Sequence, residues 1–218
     1  MKKDTMLIFD LDGTLWDSAP AVAESWNEVF QRVDPTLPKL TTEDIHSVMG
    51  MTMKEIGQVM QPLLAEEKRE TVFEECCRYE VEYLHTHAGT LYPRMRETLE
   101  SLREAGYSLA IVSNCQIGYV NAFLKGCDAE DLFDDYEEWE RTGLAKGENI
   151  RLVMRRKGFE KAIYIGDTRK DQEAAQLAGI PFIHAAYGFG KAENPEGTIG
   201  ELAELPEVVG RLINKKHE

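Results

Sequence analysis

The sequence predicts an α/β protein with a Rossmann-like parallel sheet, helices on both faces of that sheet, and a small all-helical segment inserted after the first strand. Short apolar runs recur along the chain, and most end in polar clusters, as buried strands of a parallel sheet often do. These runs cover residues 6–9, 108–112, 162–165 and 181–183. Amphipathic helices are predicted between them, and strand–helix alternation favours a parallel sheet covered on both faces.

The helices of this alternating part are predicted from apolar positions at helical spacing and from their stop signals. Each ends at or shortly before a glycine, which is the expected residue after a last helical turn. The predicted segments are residues 95–105, about 148–157 and about 170–178.

The segment of residues 17–87 differs, because it has helical periodicity and no convincing strand. One predicted face carries Val22, Trp26, Val29 and Phe30, and another carries Val72, Cys76, Tyr79 and Tyr83. We therefore expect a core of residues 1–16 and 88–218 and an inserted helical domain of residues 17–87. The hinges would lie near residues 15–18 and 88–93. The alternative is that these helices pack on the sheet as part of one domain.

The composition limits the partners. A formal charge of −14, from 39 acidic and 25 basic residues, would repel nucleic-acid phosphates, so no nucleic-acid partner is expected. Any phosphate site must supply its own positive charge. The four cysteines form no CxxC pair and are expected to be ordinary reduced thiols. No stretch approaches the roughly 20 apolar residues of a membrane span, and we expect a cytoplasmic protein with no membrane partner.

Asp10 and Asp12 follow the first predicted strand, and Gly13 and Thr14 come directly after them. Two carboxylates at this spacing can point into one pocket, and Gly13 permits a tight departure from the strand. An EF-hand calcium loop is excluded, because it needs a third acidic or asparagine residue before its glycine. A simple turn is the alternative, since aspartate and glycine both favour turns.

Ser113 and Asn114 follow the second predicted strand. A hydroxyl and nearby backbone N–H groups suit a phosphate oxygen, although Ser-Asn is also a common helix start. Lys146 is a compact cation that could hold a phosphoryl group beside two carboxylates, although most lysines are solvated surface groups.

Asp167 follows the third predicted strand, and Asp171 lies four residues later, on the same face if a helix starts there. Together with Asp10, these carboxylates would form an oxygen-rich site suited to Mg²⁺. The alternative is that Asp167 or Thr168 caps the helix.

Taken in order, these clusters resemble the haloacid dehalogenase superfamily, specifically its phosphoglycolate phosphatase-like branch with a helical cap after the first strand. The resemblance covers nearly the whole chain, including Leu91-Tyr-Pro93 and residues 106–114. Two departures stand out. Gly147 occupies a position that is often proline in relatives, and residues 134–140 are unusually acidic. Neither departure removes a catalytic group.

The resemblance implies a role for each cluster. Asp10 would be the nucleophile that forms an aspartyl-phosphate. Asp12 would protonate the leaving oxygen and then activate the hydrolytic water. The residues that would hold the phosphoryl group are Thr14, Ser113, Asn114 and Lys146.

The resemblance also implies a magnesium site. Mg²⁺ would bind Asp10, the backbone carbonyl of Asp12, and Asp167. Asp171 would support the metal through water or orient Lys146.

The cap of such relatives contributes specificity. Trp16 near the hinge, and Gly50 and Lys54 in the segment 50–54, are the candidates here. Lys54 could contact a distal charge on the substrate. The alternatives are a packing role for Trp16 and a solvated Lys54.

Several functions stay open at this point. The expected one is hydrolysis of a small phosphorylated metabolite, such as phosphoglycolate, a sugar phosphate or a nucleotide. Dehalogenases generally lack the second acidic residue, so Asp12 argues against that activity. A sugar-phosphate mutase or a pyrophosphatase remains possible. A non-catalytic phosphate-ligand-binding protein is the alternative of another class. Either a monomer or a homodimer is expected.

Overall fold

The computed structural model describes residues 3–64 and 66–214. In chain order, the elements are β1 (Thr5–Phe9), β2 (Trp16–Asp17), α1 (Ala19–Val33), α2 (Thr42–His46), α3 (Met53–Met60), α4 (Arg69–Leu84), β3 (Thr90–Leu91), α5 (Met95–Glu104), β4 (Ser108–Ser113), α6 (Tyr119–Gly126), β5 (Asp135–Glu138), α7 (Trp139–Thr142), α8 (Lys146–Lys157), β6 (Lys161–Gly166), α9 (Arg169–Ala178), β7 (Phe182–Ala185), β8 (Gly197–Ile199) and α10 (Leu205–Asn214). Short 3₁₀ helices lie at Gln61–Leu63, Glu66–Lys68 and Leu202–Glu204.

The six-stranded sheet has the order β5-β4-β1-β6-β7-β8, and all of its neighbouring strands pair in parallel. The first strand lies between β4 and β6, where Phe9 pairs with Ile111 on one side and Ile165 on the other. The predicted fold class, a parallel sheet with helices on both faces, is confirmed.

The two faces of the sheet follow from the alternation of side chains along each strand. In β1, Leu7 and Phe9 enter one buried apolar cluster, and Met6 and Ile8 enter the other. The first cluster includes residues of α5, α6 and α10, and the second includes residues of α8 and α9. Helices therefore cover both faces, and the carboxyl ends of the central strands meet at one edge.

Two sheet strands escape sequence analysis. Three of the four residues of β5 are acidic, so it lacks an apolar run. Its charge is balanced by Arg156 of α8, which lies 2.8 Å from both Asp135 and Glu137. The strand β8 has only three residues, too few for a periodic signal.

The segment between β2 and β3 is helical, as predicted. In α1, the predicted face is the buried one. In α4, the prediction is wrong by one position in its second half, because the buried residues are Val72, Cys76, Glu80 and Leu84. Tyr79 and Tyr83 are half-buried instead.

The two ends of this helical segment are joined by a short antiparallel ladder, in which Trp16 pairs with Leu91 and Asp17 with Thr90. These two-residue strands are too short to predict from sequence. The helical segment and the sheet also share one buried apolar cluster. The division at residues 16/17 and 87/88 stays a prediction. None of the helices in the described residues is long and apolar enough to cross a membrane.

Candidate active site

The carboxyl ends of β1, β4 and β6 bring three polar side chains to one edge of the sheet. Asp10, Ser113 and Asp167 each lie at or directly after a strand end, and all three are buried. This edge is where ligands bind in open parallel sheets. The sequence predicts this grouping because neighbouring parallel strands end at the same edge.

A cluster of carboxylates forms the centre of the site. Asp10, Asp167 and Asp171 each offer an oxygen, and these oxygens lie within 4.8 Å of one another. Oδ1 of Asp167 is buried and has no hydrogen-bond partner among residues 3–64 and 66–214. Buried oxygens are normally satisfied, so this unpaired atom and its neighbours fit a hard divalent cation such as Mg²⁺.

Lys146 supplies the positive charge that the acidic chain needs at a phosphate site. Its Nζ lies 2.9 Å from Oδ1 of Asp10 and 2.6 Å from Oδ1 of Asp171. Burial lowers the pKa of Lys146, but the two carboxylates more than offset this and raise the pKa well above its usual value. The lysine is therefore a permanent cation beside Asp10.

Asp171 orients this lysine from the first turn of α9. Its other oxygen, Oδ2, accepts hydrogen bonds from the backbone N–H of Thr168 at 2.9 Å and the hydroxyl of Thr168 at 2.6 Å. These contacts complete a capping box, which fixes the start of the helix and the aspartate together. Thr168 is thus the cap residue, and Asp171 contacts Lys146 directly.

Burial and the crowding of like charges raise the pKa values of the two other aspartates. Burial is the largest cause for Asp10, the Asp171 charge adds to it, and the pKa reaches about 7 despite Lys146. Burial and the charges of Asp171 and Asp10 raise the pKa of Asp167 to about 8. A bound cation would relieve this repulsion, which agrees with the suitability of these carboxylate oxygens for a divalent cation.

Close backbone approach holds Asp167 in place. Gly13 has a φ of 76°, and a Cβ there would collide with the Asp167 carboxylate. The backbone N–H of Phe189 donates to Oδ2 of Asp167 at 2.7 Å. Glycine at position 13 is therefore required both for its backbone conformation and for space.

Asp12 is not a member of the carboxylate cluster. Its Oδ1 accepts hydrogen bonds from the Ser18 hydroxyl at 2.6 Å and the Tyr119 hydroxyl at 2.9 Å. The two hydroxyls also lie 2.7 Å apart, so the three groups form one buried network. Burial raises the pKa of Asp12, while hydrogen bonds from Ser18 and Tyr119 act against the rise. A raised pKa suits a group that must hold a proton near neutral pH.

The remaining phosphate-binding candidates have different surroundings. Oγ1 of Thr14 is buried and has no hydrogen-bond partner in the described part of the chain. Ser113 is buried at the end of β4 and lines a cavity beside Asp10. The side-chain amide of Asn114, however, donates to the carbonyl of Gly50 at 3.1 Å. Asn114 thus links the core to the helical segment here.

A small cavity of about 50 Å³ separates the strand ends from the helical segment. Its lining residues are Asp10, Asp12, Val22, Trp26, Ile45, Val48, Met49, Gly50, Met51, Met53, Ile56, Glu80, Ser113, Asn114, Cys115, Gln116 and Tyr119. The core therefore contributes polar groups to the cavity, and the helical segment contributes mainly apolar ones.

The three candidate specificity residues differ in their positions relative to the cavity. Gly50 lines the cavity, as expected for a residue near the substrate. Lys54 is exposed on α3 and is not among the lining residues. Trp16 is fully buried outside the cavity and packs edge-on against the rings of Tyr119 and Phe123. The structure thus gives Trp16 a packing role and leaves Lys54 solvated.

Glu80 lines the cavity from α4, but it is not among the residues predicted from the sequence. Its signal was present, because Val72, Cys76, Glu80 and Leu84 recur every four residues and place a carboxylate in an apolar stripe. Tyr119 is not among them either, because no local pattern connects it to Asp12.

Comparison with known proteins agrees with the site. Residues 7–185 match the family model of haloacid dehalogenase-like hydrolases. A phosphoglycolate phosphatase of Rhodobacter capsulatus is 31% identical over 195 residues, which cover 85% of each chain. A phosphoglycolate phosphatase of Haemophilus influenzae strain 86-028NP is 29% identical over 90% of this chain and 94% of its own.

Solved structures share the fold. A chain from Haemophilus somnus, described as a predicted phosphoglycolate phosphatase, superposes with a TM-score of 0.82 at 23% identity and covers 95% of this chain and 99% of its own. CbbY from Rhodobacter sphaeroides, solved with phosphate, gives a TM-score of 0.75 at 20% identity, over 92% of this chain and 95% of its own. The chain therefore belongs to the haloacid dehalogenase-like hydrolases and is a phosphatase similar to the phosphoglycolate phosphatases.

Proposed function

We propose that this phosphatase hydrolyses a small phosphomonoester through an aspartyl-phosphate on Asp10, with Mg²⁺ as its cofactor. The observation that carries the proposal is the position of the Asp10 carboxylate. One of its oxygens lies 2.9 Å from Lys146, and the carboxylate belongs to the cluster with Asp167 and Asp171 beside a cavity. A nucleophile, a cation and a set of metal ligands therefore meet at one strand end.

In the first step, a carboxylate oxygen of Asp10 attacks phosphorus. The new oxygen–phosphorus bond forms while the bond to the leaving alkoxide breaks, and Asp12 gives its proton to the leaving oxygen. Burial favours the protonated form of Asp12 before this transfer because it raises the pKa. Thr14 and Ser113 are proposed to hold the phosphoryl oxygens by hydrogen bonds.

In the second step, the same groups act in reverse roles. Asp12 takes a proton from water, whose oxygen attacks phosphorus and releases inorganic phosphate and the free carboxylate of Asp10. Lys146 neutralises the charge on the phosphoryl group in both steps. Asp171 keeps the lysine in place.

Asp10 and Asp167 would hold Mg²⁺, together with the backbone carbonyl of Asp12. When bound, the metal supplies positive charge that reduces repulsion between Asp10 and an anionic phosphoryl group. Among the described residues, Oδ1 of Asp167 is a buried carboxylate oxygen without a hydrogen-bond partner, which leaves it free for such a ligand bond.

We further propose that residues 17–87 act as a cap that opens to admit substrate and closes over residues 1–16 and 88–218. Contacts between the two parts support this division. Asn114 bonds to Gly50, and Lys170 of α9 lies 2.9 Å from Glu55 of α3. Opening of the cap would break these contacts and the hydrogen bond from Gln116 to Glu80.

The proposal is tested by phosphate release from a broad panel of phosphomonoesters and pyrophosphate, with Mg²⁺ and with EDTA. Asp10→Asn removes the nucleophile, and Asp131→Asn is its matched control at an exposed position. We expect metal-dependent release that is lost in Asp10→Asn and kept in Asp131→Asn.

Two results would contradict the proposal. Release of similar size from Asp10→Asn would mean that another group is the nucleophile. An isomeric sugar phosphate formed without free phosphate would identify a mutase.

A further inference from the structure

We propose that the preferred substrate is a small phosphomonoester whose leaving group carries no negative charge and presents an O–H or N–H donor to Glu80. This inference rests on the proposed function and names the substrate class of that same site. It implies that phosphoglycolate, whose distal group is a carboxylate, is a poor substrate of this protein. The relatives named above are, by contrast, phosphoglycolate phosphatases.

The first argument is the charge of the cavity wall. Three of its lining residues, Asp10, Asp12 and Glu80, carry carboxyl groups. No lysine, arginine or histidine occurs among the described residues that line it. The phosphoryl group has Lys146 for charge balance, but Lys146 is paired with Asp10 and Asp171 and is not among the residues that line the cavity. A second anion on the substrate would therefore face carboxyl groups without a compensating cation.

The second argument is the position of Glu80 on the cap. Most of the cap residues around the cavity are apolar, among them Val22, Trp26 and Met53. Glu80 is 4% exposed on this otherwise apolar wall. A buried carboxyl group is costly, and an apolar residue would pack the same stripe of α4 at less cost. Its presence is explained if it contacts the substrate.

The third argument is the hydrogen bonding of Glu80. The indole N–H of Trp26 donates to one carboxylate oxygen at 2.5 Å, and the amide of Gln116 donates to the other at 3.0 Å. These two donors hold the carboxylate in a fixed orientation from both sides of the cavity. Each oxygen of a carboxylate accepts more than one hydrogen bond, so acceptor capacity remains for a ligand donor.

The ionisation of Glu80 depends on the groups that it contacts. Burial raises the pKa of Glu80 to about 7, although Gln116 and Trp26 act against the rise and the Asp12 charge adds to it. An ammonium or hydroxyl donor favours the ionised carboxylate, whereas a substrate carboxylate opposes it.

The size of the cavity limits the leaving group. At roughly 10–15 Å³ for each water-sized space, a volume of about 50 Å³ holds only a few waters. A leaving group of a few heavy atoms fits this space with the cap in the observed position.

The test uses four phosphomonoesters with two-carbon leaving groups that differ at one end. They are O-phosphoethanolamine with an ammonium, 2-hydroxyethyl phosphate with a hydroxyl, ethyl phosphate with a methyl, and phosphoglycolate with a carboxylate. We expect kcat/KM for at least one of the two donor-bearing esters to exceed that for phosphoglycolate and for ethyl phosphate by about tenfold or more. Comparison of the first two identifies which donor is preferred.

The Glu80→Gln variant tests the residue itself. It should reduce the ratio of kcat/KM for the preferred donor ester to kcat/KM for ethyl phosphate. The reduction should be largest if the ammonium ester is preferred. Glu74→Gln, at an exposed position of the same helix, is the matched control and should leave this ratio unchanged. Circular dichroism melting verifies that both variants fold, and the comparison of the four esters in the unmodified protein stands without them.

p-Nitrophenyl phosphate distinguishes failure of the proposed function from failure of the inference about Glu80. Cleavage of this activated ester that requires Mg²⁺ and Asp10 supports the proposed function irrespective of Glu80. If it is cleaved and phosphoglycolate matches or exceeds the donor-bearing esters, or none of the two-carbon esters is hydrolysed, the inference is overturned alone. If it is not cleaved with Mg²⁺ present, the proposed function fails, and the inference falls with it.

Discussion

The two sides of the cavity differ in how their charges are balanced. On the sheet side, Lys146 lies within 3 Å of two carboxylates, and Asp167 keeps an unpaired oxygen. On the cap side, the carboxyl group of Glu80 lines the cavity, and its hydrogen-bond donors, Trp26 and Gln116, are neutral. We therefore propose that the sheet side holds the phosphoryl group and that the cap side selects what is attached to it.

The largest expected effect concerns the acid–base group. Asp12→Asn should lower turnover of an alkyl phosphomonoester by about 10²–10⁴-fold, because the poor leaving group then receives no proton. With p-nitrophenyl phosphate, the leaving group needs no proton, so one nitrophenol per active site should appear in a burst before slow turnover. Rapid-quench kinetics measures both phases. An equal loss for both esters with no burst would contradict the assigned role.

The second effect concerns the buried lysine of the sheet side. Lys146→Ala removes the cation beside Asp10 and should lower kcat/KM by about 10²–10³-fold. Competitive inhibition by inorganic phosphate should weaken as well. If phosphate inhibition and rate both stay at the level of the unmodified protein, the sheet side does not manage charge as described.

The third effect is the pH dependence of stability. The pKa of Glu80 is raised from its ordinary 4.5 to about 7, so the folded state holds this proton longer than the unfolded state. Stability should therefore fall as pH rises from about 5 to about 7.5, and Glu80→Gln should lack this part of the fall. The difference in unfolding free energy is of the order of 1–3 kcal/mol. Urea unfolding of both proteins across this range measures it, and parallel curves would mean that Glu80 ionises normally.

The smallest effect concerns the edge of the cap. Lys170 and Glu55 form an ion pair with side chains 43% and 46% exposed. Lys170→Ala should lower the free energy of unfolding by at most about 1 kcal/mol, and this loss should vanish at high salt. A loss of kcat/KM comparable to that of Lys146→Ala would show that cap closure depends on surface charge.

Much of the sheet side was predictable from sequence. Asp10, Ser113 and Asp167 follow buried apolar runs, and neighbouring parallel strands end at one edge, so their meeting follows from topology. The network around Asp12 was not predictable, because Tyr119 lies 107 positions away and reaches it from the start of α6. No local pattern encodes such a contact.

Gly147 and the acidic segment of residues 134–140 have local physical reasons. A Cβ at Gly147 would lie 2.7 Å from the carbonyl oxygen of Ala174, so glycine allows α8 and α9 to pack closely. The acidic segment forms the edge strand β5, whose carboxylates pair with arginine from α8. A strand with this composition can be assigned only once its ion-pair partner is located.

The cap side was harder to predict because the apolar residues of one helix can be assigned to more than one buried face. The tyrosines at 79 and 83 give a plausible apolar face, yet Glu80 and Leu84 are the buried residues. A spacing of four from Val72 through Leu84 favours the observed face only if a buried carboxylate is accepted. Functional residues often break the pattern that would reveal their environment.

The most direct test is to locate the phosphoryl group on the protein during turnover. Asp12→Asn slows hydrolysis of the intermediate, so this variant is mixed with p-nitrophenyl phosphate and Mg²⁺, quenched in acid and digested for mass spectrometry. The account predicts one added phosphoryl group on the peptide that contains Asp10, chased by dilution and absent when Asp10 is also replaced by Asn. A phosphoryl group on Ser113 or another side chain, chased at the rate of turnover, would contradict it.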